Sequence, residues 1–187
     1  IMYLKGKGVA TNDGEAIRWF KSGAEKGSPF AMYNLGMMLA AGRGAPKNDA
    51  EAARWYRQAA EHGNGAAMYQ LGLAFRSGRG VSASDNEALA WLRRGAEAGS
   101  SEAMAGVRSM VHDGRGGMAI PEAVQFFQQL ADRGNNDAQF NLGMTYLDSR
   151  SASDDVQAMR ALQKSADARH VDSMVALAIM YDEGRGK

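Results

Sequence analysis

Few residues of this chain have the chemistry of an enzyme active site. It contains three histidines, His62, His112 and His170, and no cysteine, so thiolate nucleophiles, thiolate metal sites and disulfides are excluded. His112, which Asp113 follows, is the best candidate for acid–base chemistry or ligand binding. The three histidines occupy different positions of the repeat described below, so we expect no shared site and predict no catalytic residue, no metal site and no cofactor. An enzyme is the remote alternative.

Glycine-rich loops suggest anion binding as a second possible chemistry. Gly-Lys-Gly or Gly-Arg-Gly tripeptides are centred on Lys7, Arg43, Arg79 and Arg115, and backbone amides beside a basic side chain suit phosphate. The phosphate-loop pattern is not completed, however, and no predicted strand precedes any of these loops. We interpret them as helix connectors whose basic residues form a ridge along one edge, suited to contact with an acidic protein.

The elements that position these residues come from a repeat. Ala31–Gly36 reads AMYNLG, and AMYQLG returns 36 residues later at Ala67–Gly72. A fixed period of this length with helical patterning is typical of a solenoid of stacked helix pairs. We predict a single array over 1–187, with full units at 31–66, 67–102, 103–137 and 138–172 and partial units at 1–30 and 173–187. Because both ends fall inside a unit, we expect a segment of a longer protein.

Helix boundaries inside the repeat are marked by caps and glycines. The first helix of a full unit, helix A, is predicted from Pro29 to Ala41, because proline is tolerated in a first turn. Helix B begins at Asn or Ser with Glu three residues later, as in a capping box. It ends at glycine. The cap pairs are Asn12 with Glu15, Asn48 with Glu51, and Ser84 with Glu87, and the end positions are Gly27, Gly63 and Gly99.

Large apolar side chains recur at fixed positions of the two helices, and we interpret them as packing between units. The helix A methionines are Met32, Met68, Met104 and Met174; the helix B tryptophans are Trp19, Trp55 and Trp91. Truncation of Trp55 to Ala should then cost about 3–5 kcal/mol. From residue 103 the pattern drifts, and Arg108 stands where Gly36 and Gly72 stood, which we expect to push helices apart or bend the array.

The order Ala-x-x-x-Leu-Gly, Gly-x-Gly, then Ala-x-x-Trp-x-x-x-Ala-Ala-x-x-Gly resembles the Sel1-like repeat family, relatives of the tetratricopeptide repeats. The match spans essentially the whole chain and departs at Arg108, Ser149, Ala161 and Arg169. The resemblance implies an all-α, right-handed α-solenoid whose A helices line a concave face and which serves as a scaffold or adaptor. Bacterial members often act in the cell envelope, in signalling or towards a host, which slightly favours a periplasmic or secreted location.

If the tetratricopeptide arrangement carries over, one side of each A helix faces the groove. Aromatic, thioether and charged side chains there are typical of a surface that a partner covers, so we predict that the groove binds a peptide or helix of another protein. The predicted positions are Tyr33, Met37, Tyr69, Leu73, Arg76, Ser109, His112, Asp113, Phe140, Met144, Asp148 and Ile179. Two alternatives are that Tyr33 and Tyr69 pack within the array, and that the array is a spacer with contacts through loops and edges.

Charge and hydropathy argue against nucleic acid and the membrane interior as partners. The net charge of +1 gives little counterion release to drive nucleic-acid binding, and no apolar run approaches the ~18 residues of a membrane span. We therefore predict no nucleic acid and no membrane insertion. Incomplete terminal units should expose apolar residues and allow end-to-end self-association; the residues concerned are Ile17, Phe20, Phe30, Leu177, Ile179 and Met180.

Overall fold

The computed structural model describes residues 12–149 and 151–186. Their regular structure is helical throughout, without a strand in either range, and this confirms the predicted all-α class. No helix in these two ranges is long and apolar enough to cross a membrane. The helices are α1 (Asp13–Glu25), α2 (Pro29–Ala41), α3 (Asp49–Glu61), α4 (Gly65–Ser77), α5 (Asp85–Glu97), α6 (Ser101–His112), α7 (Ile120–Asp132), α8 (Asn136–Asp148), α9 (Ala152–Asp167) and α10 (Val171–Asp182).

The chain divides into two compact units, Ile1–Ala103 and Met104–Lys187. In the first unit, each helix from α1 to α5 packs against the next helix along the chain, and in the second unit the helices from α7 to α10 do the same. Each unit is therefore built from stacked helix pairs, as the repeat predicts. Helices of even number, from α2 to α10, are the A helices, and those of odd number are the B helices.

The predicted caps form as hydrogen bonds. The Asn12 side chain accepts from the Glu15 amide at 3.1 Å, and the Asn48 side chain accepts from the Glu51 amide at 3.0 Å. Ser84 caps α5 in the same way. Each bond satisfies one of the amides that a helix start leaves without an intrahelical partner. Helix α2 spans Pro29–Ala41, as predicted.

Glycine on the A helices lets the paired B helix approach closely. A Cβ built at these glycines would lie 2.6 to 2.8 Å from a side-chain carbon of the partner helix, closer than packed carbon atoms approach. The pairs are Gly36 with Tyr56, Gly72 with Leu92, and Gly143 with Leu162. Any larger residue at these positions must move the partner side chain or the helix.

The three tryptophans differ in burial. Trp91 is 7% exposed, Trp55 is half-buried and Trp19 is 60% exposed. Trp91 is covered by two arginines, with the guanidinium of Arg57 at 6.0 Å and that of Arg94 at 4.2 Å from its ring. The prediction of a buried Trp19 is wrong, because Arg57 belongs to the B helix before that of Trp91, and α1 has no such helix before it among the described residues.

The methionine prediction is confirmed at three positions and wrong at one. Met32, Met68 and Met104 are 5%, 6% and 0% exposed, but Met174 is 46% exposed. Met174 lies on α10, the last described helix, whose packing partner in its unit is α9. Its outward side therefore stays open to solvent.

Apolar exposure in the terminal units is only partly as predicted. Phe30 and Ile179 are 51% and 52% exposed, and Ile17 is half-buried. The prediction is wrong for three residues, which are buried: Phe20, Leu177 and Met180. Leu177 and Met180 share a core cluster with Leu162, because they face the helix before them along the chain.

Arg169 is the one residue other than glycine with a positive φ in the described ranges, at +67°. It takes the place that glycine holds after the earlier B helices, for example Gly99 and Gly134. A Cβ is strained in this left-handed conformation, by roughly 1–2 kcal/mol.

Replacing Trp91 with Ala should lower the free energy of unfolding by about 3–5 kcal/mol, because a fully packed aromatic is lost. Trp19→Ala should cost less than about 1 kcal/mol, as at other exposed positions. Guanidinium chloride denaturation followed by far-ultraviolet circular dichroism measures both. Equal losses in the two variants would contradict the burial described above.

Arg169→Gly should raise the free energy of unfolding by about 1 kcal/mol, because glycine adopts positive φ without a steric cost. The matched control is Gly134→Ala, which introduces a Cβ at the same position of the preceding repeat and should lower stability by a similar amount. An Arg169→Gly variant that is no more stable than the parent chain would show that Arg169 is not strained.

Candidate functional site

The predicted groove residues of the first unit lie on one side of α2 and α4. Tyr33, Tyr69, Leu73 and Arg76 are half-buried, and Met37 is 39% exposed. A cavity of about 230 Å³ opens beside α2, and Tyr33, Asn34, Met37, Met38, Ala41 and Arg43 line it. The first unit thus presents an accessible surface that is apolar and aromatic.

Tyr33 connects this surface to the packed interior. Its ring lies 6.2 Å from that of Tyr56, centroid to centroid, and Tyr56 in turn packs against Gly36. Burial raises the pKa of both tyrosines; the charge of Glu102 adds to the effect at Tyr33, and the neighbouring Tyr33 adds to it at Tyr56. Tyr33 therefore both packs within the unit and forms part of the accessible surface.

In the second unit, the predicted residues lie on α6, α8 and α10 and just after α6. Ser109, Phe140, Met144 and Asp148 are half-buried, whereas His112, Asp113 and Ile179 are exposed. Phe140 stacks on His170, with ring centroids 4.8 Å apart and planes inclined by 23°. One face of Phe140 is therefore already covered by the protein itself.

Asp148 joins two of the A helices in the second unit. Arg108 Nη1 donates to its Oδ2 at 3.2 Å, and His112 Nδ1 lies 3.1 Å from its Oδ1. The Asp148 side chain is only 13% exposed, so Arg108 supplies the opposite charge to a largely buried carboxylate and His112 a polar neighbour. Arg108 Nε is itself buried without a hydrogen-bond partner. The Arg108 guanidinium thus reaches across to α8, and the charge of Asp148 is paired within the second unit.

His170 replaces the Asn or Ser that caps the other A helices. Its Nδ1 accepts from the Ser173 amide at 3.3 Å, and its Nε2 lies 3.2 Å from Asp137 Oδ1. His62 Nδ1 lies 2.8 Å from the carbonyl oxygen of Gln58. Both rings are engaged at helix ends by residues of their own unit.

Two of the Gly-Arg-Gly loops, those of Arg43 and Arg185, hold neighbouring repeats together. Arg43 donates from Nε and Nη2 to Asp13, at 3.1 and 2.6 Å, and Arg185 binds Asp155 with the same two distances. These hydrogen bonds raise the pKa of both arginines. In each case the aspartate lies at the start of the B helix one repeat earlier. The positive charge of Arg43 is therefore paired with Asp13 within the protein.

Arg79, another residue of the predicted basic ridge, makes a different contact. Arg79 Nε donates to Ser77 Oγ at 3.1 Å, so it does not repeat the contact of Arg43. Lys7 lies outside the described residues.

A small cavity of about 40 Å³, lined in part by Asp49, Tyr56, Gln70 and Arg79, has room for about one water molecule. No group of three or more His, Asp or Glu residues suited to a metal ion occurs within 12–149 and 151–186.

Comparison with known proteins gives the same repeat. The description "Sel1 repeat" matches six consecutive segments: 1–28, 29–64, 65–100, 102–135, 136–170 and 171–187. This chain belongs to the Sel1 repeat family. Sel1 repeat proteins are typically scaffolds for protein–protein interaction and are generally not enzymes.

Two solved structures share the fold of this Sel1 repeat chain. A Sel1 repeat protein from Oxalobacter formigenes is 32% identical, with a TM-score of 0.74 over 97% of this chain and 75% of that protein. The protective antigen c5321 of uropathogenic Escherichia coli, which displays an SLR fold, is 25% identical, with a TM-score of 0.65 over 100% of this chain and 49% of that protein. No curated protein matched. The chain thus spans about half of the second Sel1-like protein.

Stability at alkaline pH should depend on Tyr56 in this Sel1 repeat chain. Burial raises its pKa above the ordinary 10.0, so above pH 10 the unfolded chain loses the Tyr56 proton while the folded chain retains it. The folded state then loses stability as pH rises, by up to about 1 kcal/mol per pH unit.

Urea denaturation measured below and above pH 10 tests this dependence. The Tyr56→Phe variant has no hydroxyl to ionise, and its stability should fall less steeply with pH than that of the parent chain. Parallel curves for the two proteins would show that Tyr56 ionises equally in the folded and unfolded states.

Proposed function

We propose that this Sel1 repeat chain is a protein-interaction module that binds an extended or helical segment of another protein on the accessible side of its A helices. The observation that carries the proposal is the accessible apolar surface of the first unit, formed by Tyr33, Met37, Tyr69 and Leu73. Partly exposed aromatic and thioether groups, held on rigid helices, are typical of interface anchors.

Helices α2 and α4 bury one side against the B helices and leave the other side accessible to a partner. On the opposite side, Leu35 and Leu71 are 3% and 0% exposed, because the B helices pack against them. The apolar groups on the other side, Tyr33, Met37, Tyr69 and Leu73, stay at least partly accessible. They are preorganised by the core behind them, which lowers the entropy lost on binding.

Charge has a smaller role in recognition than the sequence predicts. Arg43 at one edge of the surface is bound to Asp13, and Asp148 in the second unit is bound by Arg108 and His112. We therefore infer that burial of apolar and aromatic side chains supplies most of the affinity, and that the partner segment carries apolar anchors at helical or alternate spacing.

Peptides selected by display against the 187-residue chain provide ligands for a quantitative test. Fluorescence anisotropy then compares the parent chain with the Tyr33→Ala/Tyr69→Ala variant. The double variant should bind at least about tenfold more weakly, because two aromatic anchors are lost. Adding Phe140→Ala tests whether the second unit contributes as well.

A matched control uses two exposed residues on the outward side of the B helices, Arg54→Ala/Asn86→Ala. It should bind the peptides with unchanged affinity, and circular dichroism should show equal helicity in all variants. Unchanged binding by Tyr33→Ala/Tyr69→Ala, or an equal loss in the control, would reject the A-helix surface as the binding site.

A further inference from the structure

The pair of helices α8 and α9 lacks the tryptophan that the pair of α4 and α5 carries. Trp91, on α5, precedes Gly99 by eight residues, and Ala161, on α9, precedes Arg169 by the same number. Both positions are buried, with Trp91 7% exposed and Ala161 5% exposed. The second unit therefore has a methyl group where the first unit buries an indole ring.

The two helix pairs pack in the same register, so the correspondence holds in space as well as in sequence. A Cβ at Gly72 would lie 2.8 Å from Leu92, the residue after the tryptophan, and a Cβ at Gly143 would lie 2.7 Å from Leu162, the residue after the alanine. The alanine position therefore borders the space that corresponds to the indole of the first unit.

A cavity of about 210 Å³ opens at this place, between helices of the second unit. Three buried residues, Ala161, Leu142 and Gln139, and the half-buried Tyr146 form part of its wall. An apolar cavity of roughly 150 Å³ is large enough for benzene. This cavity thus has room for an indole ring.

The surroundings of Trp91 show which groups an indole meets at this position. The guanidinium groups of Arg57 and Arg94 lie 6.0 and 4.2 Å from its ring, and the Arg57 guanidinium also lies 5.6 Å from the ring of Phe75. The indole of the first unit is therefore held by two cations beside a second aromatic ring.

The cavity retains two of these three neighbours in kind. Tyr146 holds the repeat position of Phe75, and Lys164 holds that of Arg94, three residues after the tryptophan position. Gln128 holds the position of the other cation. All three of these second-unit residues line the cavity. An indole that entered would meet an aromatic ring and a cation, as Trp91 does.

The cavity also offers polar groups that the protein leaves unused. Arg160 and Lys164 line it and are exposed, and neither is in an ion pair with residues 12–149 or 151–186. Gln139 is 6% exposed, and its side-chain amide has no hydrogen-bond partner within the same two ranges. The two cations suit a carboxylate, and the amide oxygen suits an indole N–H.

We propose that this cavity receives a tryptophan side chain of a partner protein, with an acidic residue of the partner beside Arg160 and Lys164. The volume favours a side chain over a separate small molecule, because cavities for small molecules usually measure about 300–1,000 Å³. A side chain needs less enclosure, since the peptide that carries it adds contacts outside the cavity.

This site is distinct from the proposed A-helix surface and does not depend on it. Leu142 and Tyr146 of α8 line the cavity, whereas Phe140 and Met144 belong to the predicted groove. Each lies two residues from its neighbour in the other set, and two residues turn a helical side chain by about 200°. The cavity and the groove positions thus occupy different sides of α8.

Methyl nuclear magnetic resonance of the 187-residue chain tests the cavity with two blocked peptides, Gly-Asp-Trp-Asp-Gly and Gly-Asp-Ala-Asp-Gly. The methyl signals of Leu142 should shift with the tryptophan peptide, which should bind at least about tenfold more tightly than the alanine peptide. Leu71 holds the same repeat position in the first unit, where Trp91 is present. Its methyl signals should not move.

Two variants separate the ring from the charge. Ala161→Trp supplies the indole within the chain and should weaken the tryptophan peptide by at least about tenfold; circular dichroism measures its helicity. Arg160→Glu/Lys164→Glu changes only exposed groups and should weaken the same peptide by about tenfold. The control Lys21→Glu/Arg54→Glu makes the same charge change on exposed residues of the first unit and should have no effect.

The variant Tyr33→Ala/Tyr69→Ala should bind the tryptophan peptide as the parent chain does, so failure of the cavity and failure of the A-helix surface are read separately. Four outcomes would overturn the proposal: Leu142 signals that never move, equal binding of the alanine peptide, unchanged binding by Arg160→Glu/Lys164→Glu, and unchanged binding by a folded Ala161→Trp. Binding of free N-acetyltryptophan as tight as that of the peptide would also overturn it, because the ligand would then be a small aromatic acid.

Discussion

The close contact between an A-helix glycine and a B-helix side chain is the constraint on which the rest of the structure depends. A Cβ at Gly36 would lie too close to the Tyr56 ring, and a Cβ at Gly72 would lie too close to the Leu92 side chain. In α2, α4 and α8, this contact fixes which side of the A helix is closed by its partner. The remaining side keeps its apolar groups accessible, and Tyr33, which packs on Tyr56, belongs to both sides.

Local signals predict the helices well because they act within a few residues. Caps such as Asn12 and end residues such as Gly27 need no partner from elsewhere in the chain, and their positions match the structure. Burial is different, because it depends on what covers a residue. Trp19 and Trp91 occupy one phase of the repeat, yet only Trp91 has the preceding Arg57 over its ring. The position of a residue within the repeat does not show whether a neighbouring repeat covers its side chain.

The contacts between repeats were missing from the sequence predictions for a related reason. Arg43 was assigned to a solvated ridge, but it binds Asp13, and Arg185 binds Asp155. The signal was present as an aspartate thirty residues before each arginine, in the first turn of a B helix. A search for pairs of charges in phase with the repeat would have found it. The pairing of Asp148 is less predictable, because it depends on substitutions confined to one drifted unit.

We expect a partner to cover the accessible side of the A helices. Hydroxyl-radical footprinting of the 187-residue chain, with and without a display-selected peptide, measures this directly by mass spectrometry. Tyr33, Met37 and Tyr69 should become protected from oxidation when the peptide binds, while Trp55 on the B helix should be oxidised equally in both states. Protection of Trp55 with unchanged oxidation of Tyr33 and Tyr69 would contradict the account.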